Sequence, residues 1–174
     1  MTSRDYQIFE LGDVALQSGL TLRNAELAYK TYGRLDAARS NVIVYPTSYG
    51  AQHYDTEWLI RPGRALDPER YFIIIPNMFG NGLSSSPSNV GPPHDRGRFP
   101  GVTVADNVRM QHRLLREQLG IERVALVYGW SMAASRPITG RRSIPKWWSG
   151  SPSSAAARAP RRTTKCFSKA SNTR

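Results

Sequence analysis

Several features are scarce or absent in this chain of 174 residues. A single cysteine, Cys166, excludes an internal disulfide framework. No apolar run approaches the roughly 20 residues that a membrane-spanning helix requires. The first residues, MTSRDYQIFELGD, contain acids and lack the apolar core of a signal peptide. No Cys/His cluster has the spacing of a metal site. We therefore expect a cytoplasmic protein without membrane contact or bound metal.

Acidic residues are absent from the C-terminal part of the chain. The net charge is +11, but residues 1–134 hold 14 Lys/Arg and 13 Asp/Glu and contribute only +1. Residues 135–174 hold 10 Lys/Arg and no acid. This segment is rich in Ser, Arg, Pro and Ala and has no sustained hydrophobic period, which is typical of disorder. We predict one folded unit at 1–134 and a basic, poorly structured tail at 135–174.

Apolar segments in the first part predict a sheet. Residues 5–33 alternate apolar and polar positions, with glycine at the breaks, which predicts antiparallel strands joined by tight turns. Continuous apolar runs at 42–45, 71–75 and 124–128 predict strands covered on both faces, as in a parallel sheet.

One helix is predicted between the second and third apolar runs. Thr103 or Asp106 can begin it, and Gly120 ends it. Its apolar positions at helical spacing are Val108, Leu114, Leu115 and Leu119. The order strand, loop, helix, strand predicts the βαβ units of an α/β fold.

The segment YGWSMAA places Ser131 in a sharp turn after the predicted strand 124–128. The G-x-S-x-G nucleophile elbow requires small residues two positions before and after the serine, because the strand and the following helix nearly touch there. Gly129 meets the first requirement, and Ala133 is one methyl larger than glycine. An elbow predicts an oxyanion hole formed by the backbone N–H groups of Met132 and of Thr47, in the loop YPTSYG. An ordinary serine at a strand–helix junction and a plain turn at Thr47 are the alternatives.

Several stretches, taken in order, resemble homoserine O-acetyltransferases and their α/β-hydrolase relatives over roughly residues 10–133. The resemblance lies in DTEWLIRPGRALDPERYFIIIPNMFGNGLSSSPS, FPGVTVADNVRMQHRLL and LGIERVALVYGWSM. It implies an incomplete α/β-hydrolase fold, reaching as far as the elbow, with Ser131 as the nucleophile. The implied reaction is transfer of an acyl group from acyl-CoA to a hydroxyl acceptor through an acyl-serine.

The resemblance also implies binding partners and a metabolic role. Acetyl-CoA or another acyl-CoA would be a co-substrate, with no bound cofactor. The other partners would be a small-molecule acceptor and a second copy of the chain in a homodimer. The metabolic role would be in methionine biosynthesis. The segment YPTSYG departs from the His-Ala-Leu-Thr-Gly type of segment usual in the acetyltransferases. Another acyl acceptor, or hydrolysis, therefore remains open.

The groups that activate a serine are missing after Ser131. In α/β hydrolases the chain order is Ser, then Asp or Glu, then His, but no Asp, Glu or His follows Ser131 here. His53 and His94 lie in predicted loops that could line a pocket, and His112 is expected on the surface of the predicted helix. We therefore predict a truncated, inactive chain whose sheet has an unpaired edge.

The tail has the character of a coding sequence read out of frame. Trp147 and Trp148 each have the single codon TGG, and a one-base shift around them permits QQAYHWAALYPEMVERIAVVCGSART. That sequence reads as an amphipathic helix, a Tyr-Pro break and a buried strand. Loss of one G would also turn Met-Gly-Gly into the observed Met-Ala-Ala and hide the second glycine of the elbow. We interpret the tail as frame-shifted.

Two alternative functions remain open. It could be an α/β-hydrolase esterase completed by another chain that supplies the acid and the histidine. Alternatively, the basic tail could bind nucleic acid, with Trp147, Trp148 and Phe167 stacking on bases, although nucleic acid is not the favoured partner.

Overall fold

The computed structural model describes residues 4–129. The strands are β1 (Gln7–Ala15), β2 (Thr21–Tyr32), β3 (Val42–Val44), β4 (Phe72–Pro76) and β5 (Leu126–Val127). The helical elements are α1 (Val104–Arg113), a π-helical turn at Leu114–Gln118 and 3-10 turns at His53–Asp55, Glu57–Leu59 and Arg96–Arg98. The predicted tail, 135–174, lies outside the described residues.

The five strands form one mixed sheet in the order β1-β2-β4-β3-β5. β1 pairs with β2, and β2 with β4, in antiparallel fashion. β3 pairs in parallel with β4 on one side and with β5 on the other. The predicted α/β class is confirmed, with an antiparallel hairpin followed by parallel strands.

The central strands are buried on both faces, as their continuous apolar runs predict. Ile43, Ile73 and Ile75 belong to one apolar cluster. Val44 and Ile74, which alternate with them, belong to the other, together with residues of α1 and of the β1–β2 hairpin. Each fully buried aliphatic side chain contributes roughly 1.5–3 kcal/mol to folding. β3 and β4 are therefore held by the apolar layers above and below them.

Helix α1 begins at Val104 with Thr103 as its N-cap, so both predicted start signals act together. Thr103 Oγ1 accepts the Asp106 N–H (3.1 Å), and Asp106 Oδ2 accepts the Thr103 N–H (3.0 Å), which forms a capping box. The α-helical part ends at Arg113, earlier than predicted, and the π-helical turn carries the chain on to Gly120. No helix between residues 4 and 129 has the length and apolar character needed to cross a bilayer.

A close approach of backbones requires glycine at the end of β2. Gly33 has φ +75°, and a Cβ there would collide with the carbonyl oxygens of Tyr71 and Pro68. Because both obstacles are main-chain atoms, no side-chain rotation relieves the collision. Gly33 therefore allows the chain leaving β2 to pass against the entry to β4.

The capping box makes a testable contribution to stability. We expect Thr103→Ala to lower the free energy of unfolding by about 1 kcal/mol, because the Asp106 N–H loses its acceptor. Urea unfolding followed by circular dichroism measures the change. Thr103→Ser keeps the hydroxyl and should retain most of the stability; equal losses in the two variants would contradict the capping role.

Candidate active site

The order of the strands in the sheet predicts where a ligand-binding crevice lies. The chain leaves β3 to form β4 on one side and returns through α1 to form β5 on the other. In open α/β sheets, ligands bind outside the carboxyl ends of the strands where the order reverses in this way. For this sheet the rule predicts a crevice between the residues that follow β3 and Tyr128, which follows β5.

The structure contains β5, the strand that precedes Ser131 in the sequence. Ser131, Met132 and Ala133 lie outside the described residues. Tyr128 N–H donates to Val44 O at 2.9 Å, so ladder pairing continues one residue past β5. In the sequence, Ser131 comes three positions after Tyr128. The nucleophile and its Met132 donor therefore stay predictions.

Thr47, the second predicted oxyanion donor, lies just beyond β3 and is fully buried. Its N–H donates to Pro76 O at 3.3 Å, which is long for an N–H···O bond. Its Oγ1 accepts the N–H of Met78 at 3.2 Å. The Thr47 amide would have to exchange a weak main-chain bond for a substrate oxygen, and its role stays a prediction.

Asn77 joins the loop after β3 (residues 46–56) to the loop after β4 (residues 77–86). Its Oδ1 accepts the backbone N–H of His53 at 3.1 Å and Asn81 Nδ2 at 2.9 Å. Asn81 Nδ2 also donates to Ala51 O at 3.1 Å, and Gln52 Nε2 donates to Asn81 O at 2.7 Å. These bonds fix the two loops against each other beside Thr47.

His53, which the sequence puts in a loop that could line a pocket, is buried at the start of the 3-10 turn His53–Asp55. Only 1% of its surface is exposed. Its Nδ1 lies 3.4 Å from Asn77 Nδ2, and its Nε2 lies 3.3 Å from Asp5 Oδ1. Since the Asn77 amide nitrogen can only donate, Nδ1 accepts, and the ring proton belongs on Nε2, facing the Asp5 carboxylate. The imidazole is thus engaged on both sides.

The other two histidines are placed differently from each other. His94 Nε2 lies 2.9 Å from Thr21 O and connects the loop after β4 to the β1–β2 hairpin. His112 is half-buried on α1 rather than fully on the surface. Burial lowers the pKa of His112, and the positive charge of Arg116 lowers it further.

A group of charged side chains surrounds the outer edge of His53. Lys30 Nζ lies 2.7 Å from both Asp5 Oδ2 and Glu57 Oε1, and Tyr32 donates its hydroxyl to Glu57. Partial burial lowers the pKa of Lys30, but its hydrogen bonds to Asp5 and Glu57 outweigh this, so its pKa lies above the usual value. Burial raises the pKa of Glu57, whereas the hydrogen bonds from Lys30 and Tyr32 bring it below its usual value.

The same group holds ligand atoms of a kind that binds metals. One atom each from Asp5, His53 and Glu57 lies within 4.8 Å of the others. The Lys30 ammonium already bridges the two carboxylates at 2.7 Å and supplies the positive charge that they attract. We interpret the group as an ion-pair network that attaches the N-terminal segment and the Glu57–Leu59 turn to β2.

This network predicts a pH-dependent difference in stability. We expect Glu57→Gln to lower the free energy of unfolding by about 1 kcal/mol near pH 7, because Lys30 and Tyr32 lose a charged acceptor that is partly exposed. The folded-state pKa is lowered, so the contribution is present above the ordinary carboxyl pKa of 4.5 and is lost as the pH falls through the folded value. Urea unfolding at several pH values measures it.

Glu69→Gln is the matched control, since Glu69 is exposed and its carboxylate makes no hydrogen bond within residues 4–129. It should leave stability almost unchanged at every pH. A Glu57→Gln effect that persists undiminished at acidic pH would show that the carboxylate charge is not responsible.

Comparisons with known proteins place this geometry in a family. The family model described as alpha/beta hydrolase fold matches residues 42–135, more than half of the chain. The chain is 42% identical over 132 residues to an ethyl acetate hydrolase from Pseudomonas veronii, a match covering 75% of this chain and 38% of that relative. It is 36% identical over 150 residues to a homoserine O-acetyltransferase from Geobacter sulfurreducens, covering 76% and 40%.

A solved structure gives the same result at the level of the fold. The acetylester hydrolase from Corynebacterium glutamicum superposes with a TM-score of 0.78 at 37% identity, covering 82% of this chain and 41% of that one. The chain thus spans about two fifths of the length of these relatives. The homoserine O-acetyltransferase resemblance is found, but the two esterases match at higher identity, so the acyl acceptor is left open. The chain belongs to the alpha/beta hydrolase fold family.

Proposed function

We propose that the chain carries the nucleophile-bearing part of a serine esterase that acts on short acyl esters. The observation that carries the proposal is the parallel pairing of β3 with both β4 and β5, because Thr47 follows β3 and Ser131 comes four positions after β5 in the sequence. The esterase relatives support hydrolysis, as does the loop YPTSYG, which departs from the acetyltransferase pattern.

The proposed chemistry follows from the residues at that crevice. Ser131 Oγ attacks the ester carbonyl carbon while a base removes its proton, and the backbone N–H groups of Met132 and Thr47 stabilise the oxyanion. Collapse breaks the bond to the leaving alcohol, which takes up the proton, and leaves an acyl-serine. Attack by water then releases the acid and restores the serine hydroxyl.

The general base that should remove the Ser131 proton is not found where the order Ser, acid, His would put it. No His, Asp or Glu follows Ser131, and the imidazole of His53 is engaged by Asp5 and Asn77. We infer that the 174-residue chain alone does not turn over esters and that the frame after Ala133 is shifted. Completion by another chain that brings the acid and the histidine is the alternative.

Acyl transfer is the second candidate, favoured by the homoserine O-acetyltransferase relatives. The same acyl-serine would form from an acyl-CoA, with the thiol leaving, and a hydroxyl of a small acceptor would then replace water. Both candidates use the same crevice and the same Ser131. They differ only in the molecule that accepts the acyl group.

Restoring the reading frame tests the proposal. The 174-residue protein should hydrolyse p-nitrophenyl acetate no faster than its Ser131→Ala variant, because no base activates the hydroxyl. The product of the gene with one G restored near Ala133 should turn over the ester, and Ser131→Ala should reduce that rate by at least about 10³-fold.

Two results would contradict the proposal. A correctly folded, frame-restored protein without Ser131-dependent hydrolysis, but with transfer from acetyl-CoA to homoserine, would replace the esterase with the acyltransferase. Ser131-dependent turnover by the purified 174-residue chain would show that a base reaches the serine without a change of frame. Turnover that appears only with a co-purified second chain would support the two-chain alternative.

A further inference from the structure

His53 is a buried titratable residue that the proposed chemistry at Ser131 does not use. Its imidazole is 1% exposed and lies between two sets of polar groups. On the inner side, Asn77 contacts both the main chain and the ring of His53. Asn77 Oδ1 accepts the backbone N–H at 3.1 Å, and Asn77 Nδ2 lies 3.4 Å from ring Nδ1. One amide therefore binds this residue at two points.

The orientation of the Asn77 amide is determined by its neighbours. Its Oδ1 accepts Asn81 Nδ2 at 2.9 Å as well as the His53 N–H. Asn81 is oriented in turn, because its own Oδ1 accepts the N–H of Leu83 at 3.1 Å and its Nδ2 donates to Ala51 O at 3.1 Å. Turning the Asn77 amide over would place its NH₂ group against two other donors. Asn77 Nδ2 therefore faces the ring as a donor, and ring Nδ1 has to accept.

The outer side of the ring favours the opposite charge state. Nε2 lies 3.3 Å from Asp5 Oδ1 and 4.0 Å from Glu57 Oε1. The hydrogen bond from Lys30 holds the pKa of Asp5 below its usual value, so this carboxylate stays ionised where histidines ordinarily titrate. The negative charge favours a protonated ring, and the Lys30 ammonium, 2.7 Å from both carboxylates, offsets part of it. The rings of Tyr6 and Tyr54 also contact the imidazole, at centroid distances of 5.6 Å.

Protonation of the ring brings the two sides into conflict. A proton taken up from solvent goes to Nδ1, because Nε2 already carries one. The new Nδ1–H then points at the Asn77 NH₂ group, which is a donor facing a donor. Relief requires the Asn77 amide to turn or withdraw, and either movement breaks its Oδ1 bonds to the His53 N–H and to Asn81. These bonds connect the loop after β3 (residues 46–56) to the loop after β4 (residues 77–86).

We propose that His53 is a proton-sensitive link, in which uptake of a proton at Nδ1 detaches residues 46–56 from residues 77–86. The neutral ring keeps the two loops together, and the protonated ring separates them. Thr47 lies in the first of these loops, so acid would loosen the segment at the carboxyl end of β3. The proposal goes beyond the esterase function and does not rest on it, because it concerns two loops of the 174-residue chain and no step at Ser131.

The test uses isotope-labelled 174-residue protein and nuclear magnetic resonance. Proton–nitrogen correlation spectra report the protonation of each histidine ring, and hydrogen exchange, corrected for its intrinsic pH dependence, reports the protection of each backbone N–H. Near pH 8 the His53 ring should carry its proton on Nε2. As the ring takes up a second proton, between about pH 8 and about pH 5, protection of the His53 N–H should fall about tenfold.

A backbone N–H in the sheet distinguishes local opening from global unfolding. The Tyr45 N–H donates to Ile74 O at 2.8 Å, between two central strands. Its protection should not change while that of His53 falls, because the proposed opening separates two loops and leaves the sheet intact.

Three variants separate the ring from its surroundings. His53→Gln offers Oε1 to the Asn77 NH₂ group and takes up no proton, so its protection should not vary with pH. Asn77→Asp replaces the NH₂ donor with an acceptor; the link should survive protonation, and the ring should keep its proton to a pH at least about one unit higher. His94→Gln is the matched control, since His94 contacts Thr21 O outside both loops, and it should respond as the unmodified protein does. Circular dichroism confirms that every variant folds.

Five outcomes would overturn the proposal, and three of them need no variant. They are a ring proton on Nδ1 near pH 8, a ring that stays neutral until the protein unfolds, and a protonated ring with unchanged His53 N–H protection. An equal loss of protection in His53→Gln would assign the effect to Asp5 or Glu57. A loss in Asn77→Asp as large as in the unmodified protein would show that the Asn77 donor is not responsible.

Discussion

The parallel pairing of β3 with β4 on one side and with β5 on the other is the constraint on which the rest of the structure depends. This pairing buries Ile43 and Val44 in opposite apolar layers, and it creates the reversal of strand order that opens a crevice. The loop that contains Thr47 leaves β3 at that edge of the sheet, and Tyr128 leaves β5 at the same edge. Fold stability and the position of the candidate site therefore have one origin.

The polar interactions of Asn77 and His53 connect the loops that follow β3 and β4. Asn77 is buried between two loops, and its amide determines the orientation of the His53 ring, whose other nitrogen faces Asp5. An imidazole held in this way serves as a structural link between the N-terminal segment and the loop after β3.

Much of the fold could be predicted because its signals are local. The runs 42–45 and 71–75 indicate buried strands by composition alone, and Thr103 with Asp106 marks the helix start through bonds three residues apart. The observed bounds of these strands differ from the predicted ones by up to two residues at each end. The strand predicted at 124–128 is thus assigned only to Leu126–Val127.

The site was less accessible from the sequence because its contacts are long-range. Nothing near His53 in the sequence indicates that its ring meets Asp5, 48 positions earlier, and Asn77, 24 positions later. The register of β5 is also a long-range property, since only its pairing with β3 shows that Ile43 and Leu126 share a face of the sheet. Ser131 is predicted from a local motif, which requires only a strand, a turn and small neighbours, and it stays a prediction.

We infer that the 174-residue chain holds no base that removes the proton of the Ser131 hydroxyl. Intact-protein mass spectrometry after treatment with a fluorophosphonate, which modifies activated serines, tests this most directly. We expect no stoichiometric modification of the 174-residue protein and complete modification of the frame-restored protein at Ser131. Rapid, stoichiometric modification of Ser131 in the 174-residue protein alone would contradict the account.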